Sequence, residues 1–202
     1  MRASTRRELV PGPAGRIECA VDVPGNHRGV ALIAHPHPLF GGTLDNKVVQ
    51  TLARSFVELG YAAVRPNFRG VGATEGTHDE GRGELEDMAA VLAWAQAQFG
   101  ESPPVLAGFS FGSFVQTHLA QRVAPERMVL VGVAVKRFDA QAVPPNTLVI
   151  HGEVDETVPL TDVLDWARPQ ELPVIVVPGA DHFFHQKLNV LRSIVQLNWR
   201  GR

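Results

Sequence analysis

From Val30 onward the chain alternates short apolar runs with stretches of helical periodicity, and this alternation restricts the fold more than any other feature. The runs are Val30-Ala31-Leu32-Ile33-Ala34, Tyr61 to Val64, Val105-Leu106-Ala107, Val129 to Val133, Thr147 to Ile150 and Val174 to Val177. They are short and bounded by turn formers, and Val30 to Ala34 is apolar throughout, as in a strand buried on both faces. Between them lie helical patterns. The first runs from Asp45, expected to cap or charge its start, through Val48, Val49, Leu52, Phe56 and Val57 to the stop at Gly60. Glu84 to Phe99 follows, then a segment ending near Val123, then Leu160 to Ala167. The last pattern places Phe184, Leu188, Leu191, Val195 and Trp199 at steps of four, three, four and four. The prediction is an α/β architecture in one domain over residues 1–202. Its mostly parallel sheet should have about seven or eight strands flanked by helices. Glu8-Leu9-Val10 and Arg16 to Val23 supply one or two antiparallel strands at its start.

Composition narrows the class. With 45% hydrophobic and 20% charged residues the chain reads as an ordinary globular protein. Its net charge of −2 gives no electrostatic reason to expect nucleic acid or a membrane surface. Cys19 is the single cysteine, which excludes an internal disulfide and fits a reducing, cytoplasmic compartment. Met1 to Val10 carries three arginines but no apolar core, so no secretory signal is expected. No apolar run approaches the ~20 residues of a membrane span.

Right-handed crossovers put the C-terminal ends of the parallel strands on one edge, so the loops after them should hold the site. His35, Asn67, Ser110, Asp155 and His182 all fall in such loops. Gly108-Phe109-Ser110-Phe111-Gly112 reads G-x-S-x-G between an apolar run and an amphipathic segment, the context of a nucleophile elbow. The flanking glycines permit the tight turn, and the helix N-terminus behind Ser110 favours developing negative charge. A serine hydroxyl needs a base, and the base needs an orienting acid, in the chain order Ser, Asp or Glu, His. His182 is the expected base, ahead of His185; the competing reading of His182 is a surface cap on the last helix. Asp155 is the expected acid, with Glu153 and Glu156 close enough to compete. Asp181 reads as a local turn or cap residue, and Asp139 is distant.

An oxyanion hole needs two backbone donors. One is the N–H after the nucleophile, that of Phe111. The second should come from the loop His35-Pro36-His37-Pro38-Leu39-Phe40-Gly41-Gly42, where the prolines have no N–H. That leaves His37, or alternatively Leu39. Neither a metal nor a cofactor is expected. His35-x-His37 lacks further ligands at a recognised spacing, and Gly70-x-Gly72 lacks the third glycine of a dinucleotide fingerprint. Cys19 lies far upstream of the other candidates. Arg69 is expected to meet Asp87 on the following helix.

In these residues the chain resembles the α/β-hydrolase superfamily, and most of all small, lidless bacterial serine hydrolases related to the dienelactone-hydrolase-like group. The resemblance rests on five motifs. They are His35 to Gly42 with Asp45-Asn46-Lys47-Val48-Val49, Asn67-Phe68-Arg69-Gly70-Val71-Gly72, Gly108 to Gly112, His151-Gly152-Glu153-Val154-Asp155-Glu156, and Asp181-His182-Phe183-Phe184. It implies an α/β-hydrolase fold, with Ser110, Asp155 and His182 as nucleophile, acid and base and the Phe111 and His37 amides as oxyanion donors. Dienelactone hydrolases carry a cysteine nucleophile where this chain has Ser110. Relatives with a lid insert it ahead of the acid-bearing loop, where only Ala134 to Asn146 is available here. The expected function is hydrolysis of a small-molecule carboxylic ester or thioester. The rivals are a peptidase of the same superfamily and a non-catalytic binding module with a vestigial triad. Phe40, Phe111, Phe183 and Phe184 are candidates for an apolar pocket or for the core.

Overall fold

The computed structural model describes residues 5–200. Its strands are β1 (Arg6–Gly12), β2 (Gly15–Asp22), β3 (Val30–Ala34), β4 (Ala62–Pro66), β5 (Val105–Phe109), β6 (Arg127–Val131), β7 (Leu148–Gly152) and β8 (Val174–Val177). They form one sheet in the order β1-β2-β4-β3-β5-β6-β7-β8. β2 pairs antiparallel with both β1 and β4, and every other pairing is parallel. The helices are α1 (Lys47–Glu58), α2 (Arg82–Phe99), α3 (Phe111–Leu119), α4 (Leu160–Ala167) and α5 (Leu188–Arg200).

The continuous apolar strands are explained by two cores. Alternate residues of β3 enter opposite faces: Leu32 and Ala34 join Met88, Val91 and Leu92 of α2, Val115 of α3 and Val163 of α4. Ala31 and Ile33 join Val49, Leu52 and Phe56 of α1 and Leu191 and Val195 of α5. A strand covered on both sides has no polar face to alternate with, hence its uniform hydrophobicity.

Several boundaries differ from those expected, each for a local reason. β1 runs on through Pro11 and Gly12, because it lies at the sheet edge, where a missing N–H breaks no ladder bond. The cap of α1 is Asn46, whose Oδ1 accepts from the N–H groups of Val48 and Val49 at 2.9 and 3.4 Å. Asp45 instead pairs with Arg7 at 2.6 Å. α5 begins at Leu188; Phe184 is fully buried but has φ 53°, a turn conformation outside any helix. The segment between β6 and β7 contains no helix, so among the described residues no lid domain is inserted there.

The topology positions the site. The chain leaves β3 toward β4 on one side, whereas β5 leads toward β6 on the other. The crevice where connections diverge lies between the C-terminal ends of β3 and β5, where open α/β sheets bind ligands. The loop of His35 to Gly42 flanks it on one side and Ser110 on the other.

Candidate active site

Ser110 sits between β5 and α3 with φ 55° and ψ −119°, a strained conformation for a residue with a side chain. The surroundings enforce it. The Ser110 N–H donates to the Val131 carbonyl at 2.9 Å, and its own carbonyl accepts from Phe114 N–H at 3.2 Å. The glycines around it are required by close approach. A Cβ on Gly108 would lie 2.6 Å from the Gly112 backbone, and one on Gly112 would lie 2.4 Å from the Ala34 carbonyl oxygen. The G-x-S-x-G spacing therefore lets α3 start directly against β3 and β5.

His182 follows β8 and packs on Phe109, ring centroids 4.8 Å apart. Its Nδ1 is 2.6 Å from Asp155 Oδ2, and its Nε2 is 3.0 Å from Ser110 Oγ. An ionised carboxylate only accepts, so Nδ1 carries the proton and Nε2 accepts from the serine hydroxyl. The other Asp155 oxygen accepts from the N–H groups of Thr157 and Val158 at 2.9 and 2.8 Å, which fixes the carboxylate plane. All three residues are buried, Ser110 at 8% and His182 at 5% exposure. Serine, histidine and aspartate are thus joined in one hydrogen-bonded line.

The competing acids and base are engaged elsewhere. Glu153 accepts from Gly179 N–H at 2.8 Å and ties the loops after β7 and β8 together. Asp181 accepts from both the backbone and ring of exposed His185, at 2.9 and 2.5 Å. Glu156 is exposed. Asp139 offers its carbonyl to His118.

The Phe111 N–H opens α3, where first-turn amides have no acceptor in their own helix. Across the crevice, the turn Pro38–Phe40 is closed by N–H bonds from Phe40 and Gly42 to the His37 carbonyl, both at 3.1 Å. The Leu39 N–H donates to His37 Nδ1 at 3.3 Å, whereas the His37 N–H has no such bond among the described residues. A cavity of about 390 Å³ opens at this point, lined by Ser110, Phe111, His37, Phe138, Val158 and Pro159 among others. Of the four phenylalanines, Phe111 and Phe184 are fully buried, while Phe40 and Phe183 are 70% and 45% exposed.

Two residues from the predicted edge serve the scaffold. His35 is buried between Pro36 O at 2.7 Å and Phe68 N–H, which donates to Nε2 at 2.9 Å. Burial pushes its pKa down to about 4. Asn67 accepts from Leu44 N–H and donates to Glu18, both at 2.8 Å. Arg69 holds Asp87 bidentately at 2.6 and 3.0 Å, as expected. Burial pushes the Cys19 thiol up to about 12, which removes it as a nucleophile.

Sequence reasoning gave no role to His151. It lies fully buried on β7, donates from Nε2 to the Val158 carbonyl at 2.9 Å and approaches Asp155 Oδ2 at 3.6 Å. Burial holds its pKa down. Its position four residues before Asp155 was the available signal. Arg137 and Phe138 were also missed, because they lie in an irregular segment without periodicity.

The fold and this line of residues are those of an α/β serine hydrolase. The sequence profile of the family described as alpha/beta hydrolase fold matches residues 37–139, and the chain belongs to that family. Among solved structures it is similar to one from Xanthomonas campestris, described as an α/β serine hydrolase without lid. The identity is 36%, 99% of this chain and 95% of that one are covered, and the TM-score is 0.92. An α/β serine hydrolase homologue from Coxiella burnetii is 38% identical over 96% of each chain, with a TM-score of 0.88. The uncharacterized protein RP471 of Rickettsia prowazekii is 32% identical over 87% of this chain and 81% of its own. No helix among the described residues is long and apolar enough to cross a membrane.

Proposed function

We propose that this chain cleaves small-molecule carboxylic esters or thioesters through an acyl-enzyme on Ser110, its length acting as one catalytic domain. The observation that carries the reading is the Ser110–His182–Asp155 line, with separations of 3.0 and 2.6 Å. The Ser110 oxygen attacks the substrate carbonyl carbon while its proton passes to His182 Nε2. Asp155 keeps the imidazole in the accepting tautomer and stabilises the imidazolium that forms. The tetrahedral oxyanion is held by the Phe111 and His37 amides; losing one such donor typically costs ~10²–10³ in turnover. Collapse expels the alcohol or thiol, which takes the proton from His182. Water repeats the sequence and releases the carboxylic acid. Cys19, the single cysteine, can form no internal disulfide, which fits work in a reducing cytoplasm.

Ser110→Ala tests this on a short p-nitrophenyl ester. Turnover is expected to fall on the order of 10⁴-fold or more, with the thermal unfolding curve little changed. Undiminished turnover by a folded variant refutes the mechanism.

A further inference from the structure

The cavity beside Ser110 is walled on one side by the segment after β6, including Val135, Lys136, Arg137 and Phe138. Its lining is otherwise mainly apolar, so the charges there stand out. Lys136 is already neutralised by Asp162 at 3.2 Å. No carboxylate among the described residues pairs with Arg137, which leaves one unbalanced positive charge on the lining.

Arg137 is exposed, and two aromatic rings flank its charge. The Arg137 guanidinium lies 5.3 Å from the Phe40 ring centroid and 5.7 Å from that of Phe138, across two aromatic surfaces. Phe138 in turn stacks on Phe114 at 4.9 Å and meets Phe111 edge-on at 5.0 Å. Phe111 is the residue after the nucleophile. An unbroken aromatic chain therefore ties the guanidinium to the elbow, and Phe40 ties it to the turn that follows His37. A planar fork flanked in this way, with its N–H groups free of any carboxylate among the described residues, suits two-point recognition of a carboxylate or phosphate.

We propose that Arg137 recognises an anionic group on the substrate. The substrate class is then an ester or thioester with a carboxylate or phosphate at one end and a short apolar stretch between that anion and the scissile carbonyl. The 390 Å³ cavity, near the small end of the range for ligand pockets, houses that stretch. This inference rests on the hydrolase reading.

Matched substrate pairs test it. p-Nitrophenyl butyrate against mono-p-nitrophenyl glutarate puts the anion on the acyl side. The S-butyryl thioester of methyl 3-mercaptopropionate against that of 3-mercaptopropionate puts it on the leaving group. Competition by phosphate and by acetate ranks the two anion types. The wild type is expected to prefer the anionic member of at least one pair. In Arg137→Gln the anionic-to-neutral ratio of kcat/KM should fall about tenfold, chiefly through KM, and Arg137→Lys should restore part of it. About 0.5 M salt should shrink the wild-type preference. Ser110-dependent hydrolysis with a ratio that Arg137→Gln leaves unmoved in both pairs overturns the assignment of Arg137 alone. So does a wild-type preference for the neutral member of both pairs. Absence of Ser110-dependent hydrolysis of all four substrates removes the hydrolase reading and this inference with it.

Discussion

Two buried histidines on the same edge of the sheet have opposite fates. His35, after β3, meets a backbone N–H at one ring nitrogen and a backbone carbonyl at the other. Neither partner exchanges a proton at neutral pH, so the ring is a fixed strut between the loops after β3 and β4. His182, after β8, meets a carboxylate at one nitrogen and a serine hydroxyl at the other. The ring there can take a proton from one side and have the resulting charge stabilised from the other. Both rings are almost wholly buried, so burial does not separate them; the acidity of the partners does. The hydrogen-bonded line of side chains is drawn from the loops after β5, β7 and β8, and the loops after β3 and β4 form the opposite side of the crevice.

Asp155→Asn should break the reactive side of this contrast most severely. The amide would favour the wrong tautomer of His182, and kcat is expected to drop by about 10⁴. Steady-state rates on any hydrolysed ester measure it, and a loss under tenfold would mean that Asp155 does not orient the base.

The inert side is sharpened by pH. His35 titrates near 4 in the native protein, below the usual 6.5, so between those values the unfolded chain binds a proton that the native chain refuses. Stability is therefore fullest above about pH 6.5 and declines as the pH falls toward 4, by about 3 kcal/mol from this group. His151 is shifted in the same direction by burial and adds to the decline. His35→Gln keeps a donor and an acceptor but does not titrate, so its stability should fall less between pH 7 and pH 5. Urea unfolding at the two pH values measures the difference; equal declines in both proteins would contradict the buried neutral assignment.

What was legible in the sequence follows the same division. β3 could be read from Val30 to Ala34 because a strand covered on both faces is apolar at every position. The elbow could be read because backbone contacts within 3 Å exclude any Cβ at Gly108 and Gly112. Ser110, Asp155 and His182 could be ordered along the chain because parallel strands deliver their following loops to one edge. The cap of α1 could not be settled locally. Asp45 and Asn46 are both competent caps, and Arg7, from a distant strand, draws Asp45 away. Phe184 fitted the period of the last helix because it is buried, yet its backbone turns the other way. The wall built by Arg137 and Phe138 carries no period, and only tertiary aromatic contacts give it a position.

The smallest expected effect concerns that cap. Asn46→Ala should cost about 1 kcal/mol of unfolding free energy, since two helix N–H groups lose their acceptor. Asp45→Ala should cost less than about 0.5 kcal/mol, because its ion pair with Arg7 is exposed to solvent. A reversed ranking in denaturant unfolding would return the cap to Asp45.

The central claim is that Ser110 is an activated nucleophile, and covalent labelling with a fluorophosphonate probe tests it most directly. Intact-mass and peptide mapping should find one adduct, on Ser110, that is absent from Ser110→Ala. An unlabelled wild-type protein, or an adduct carried by a different residue, would contradict it.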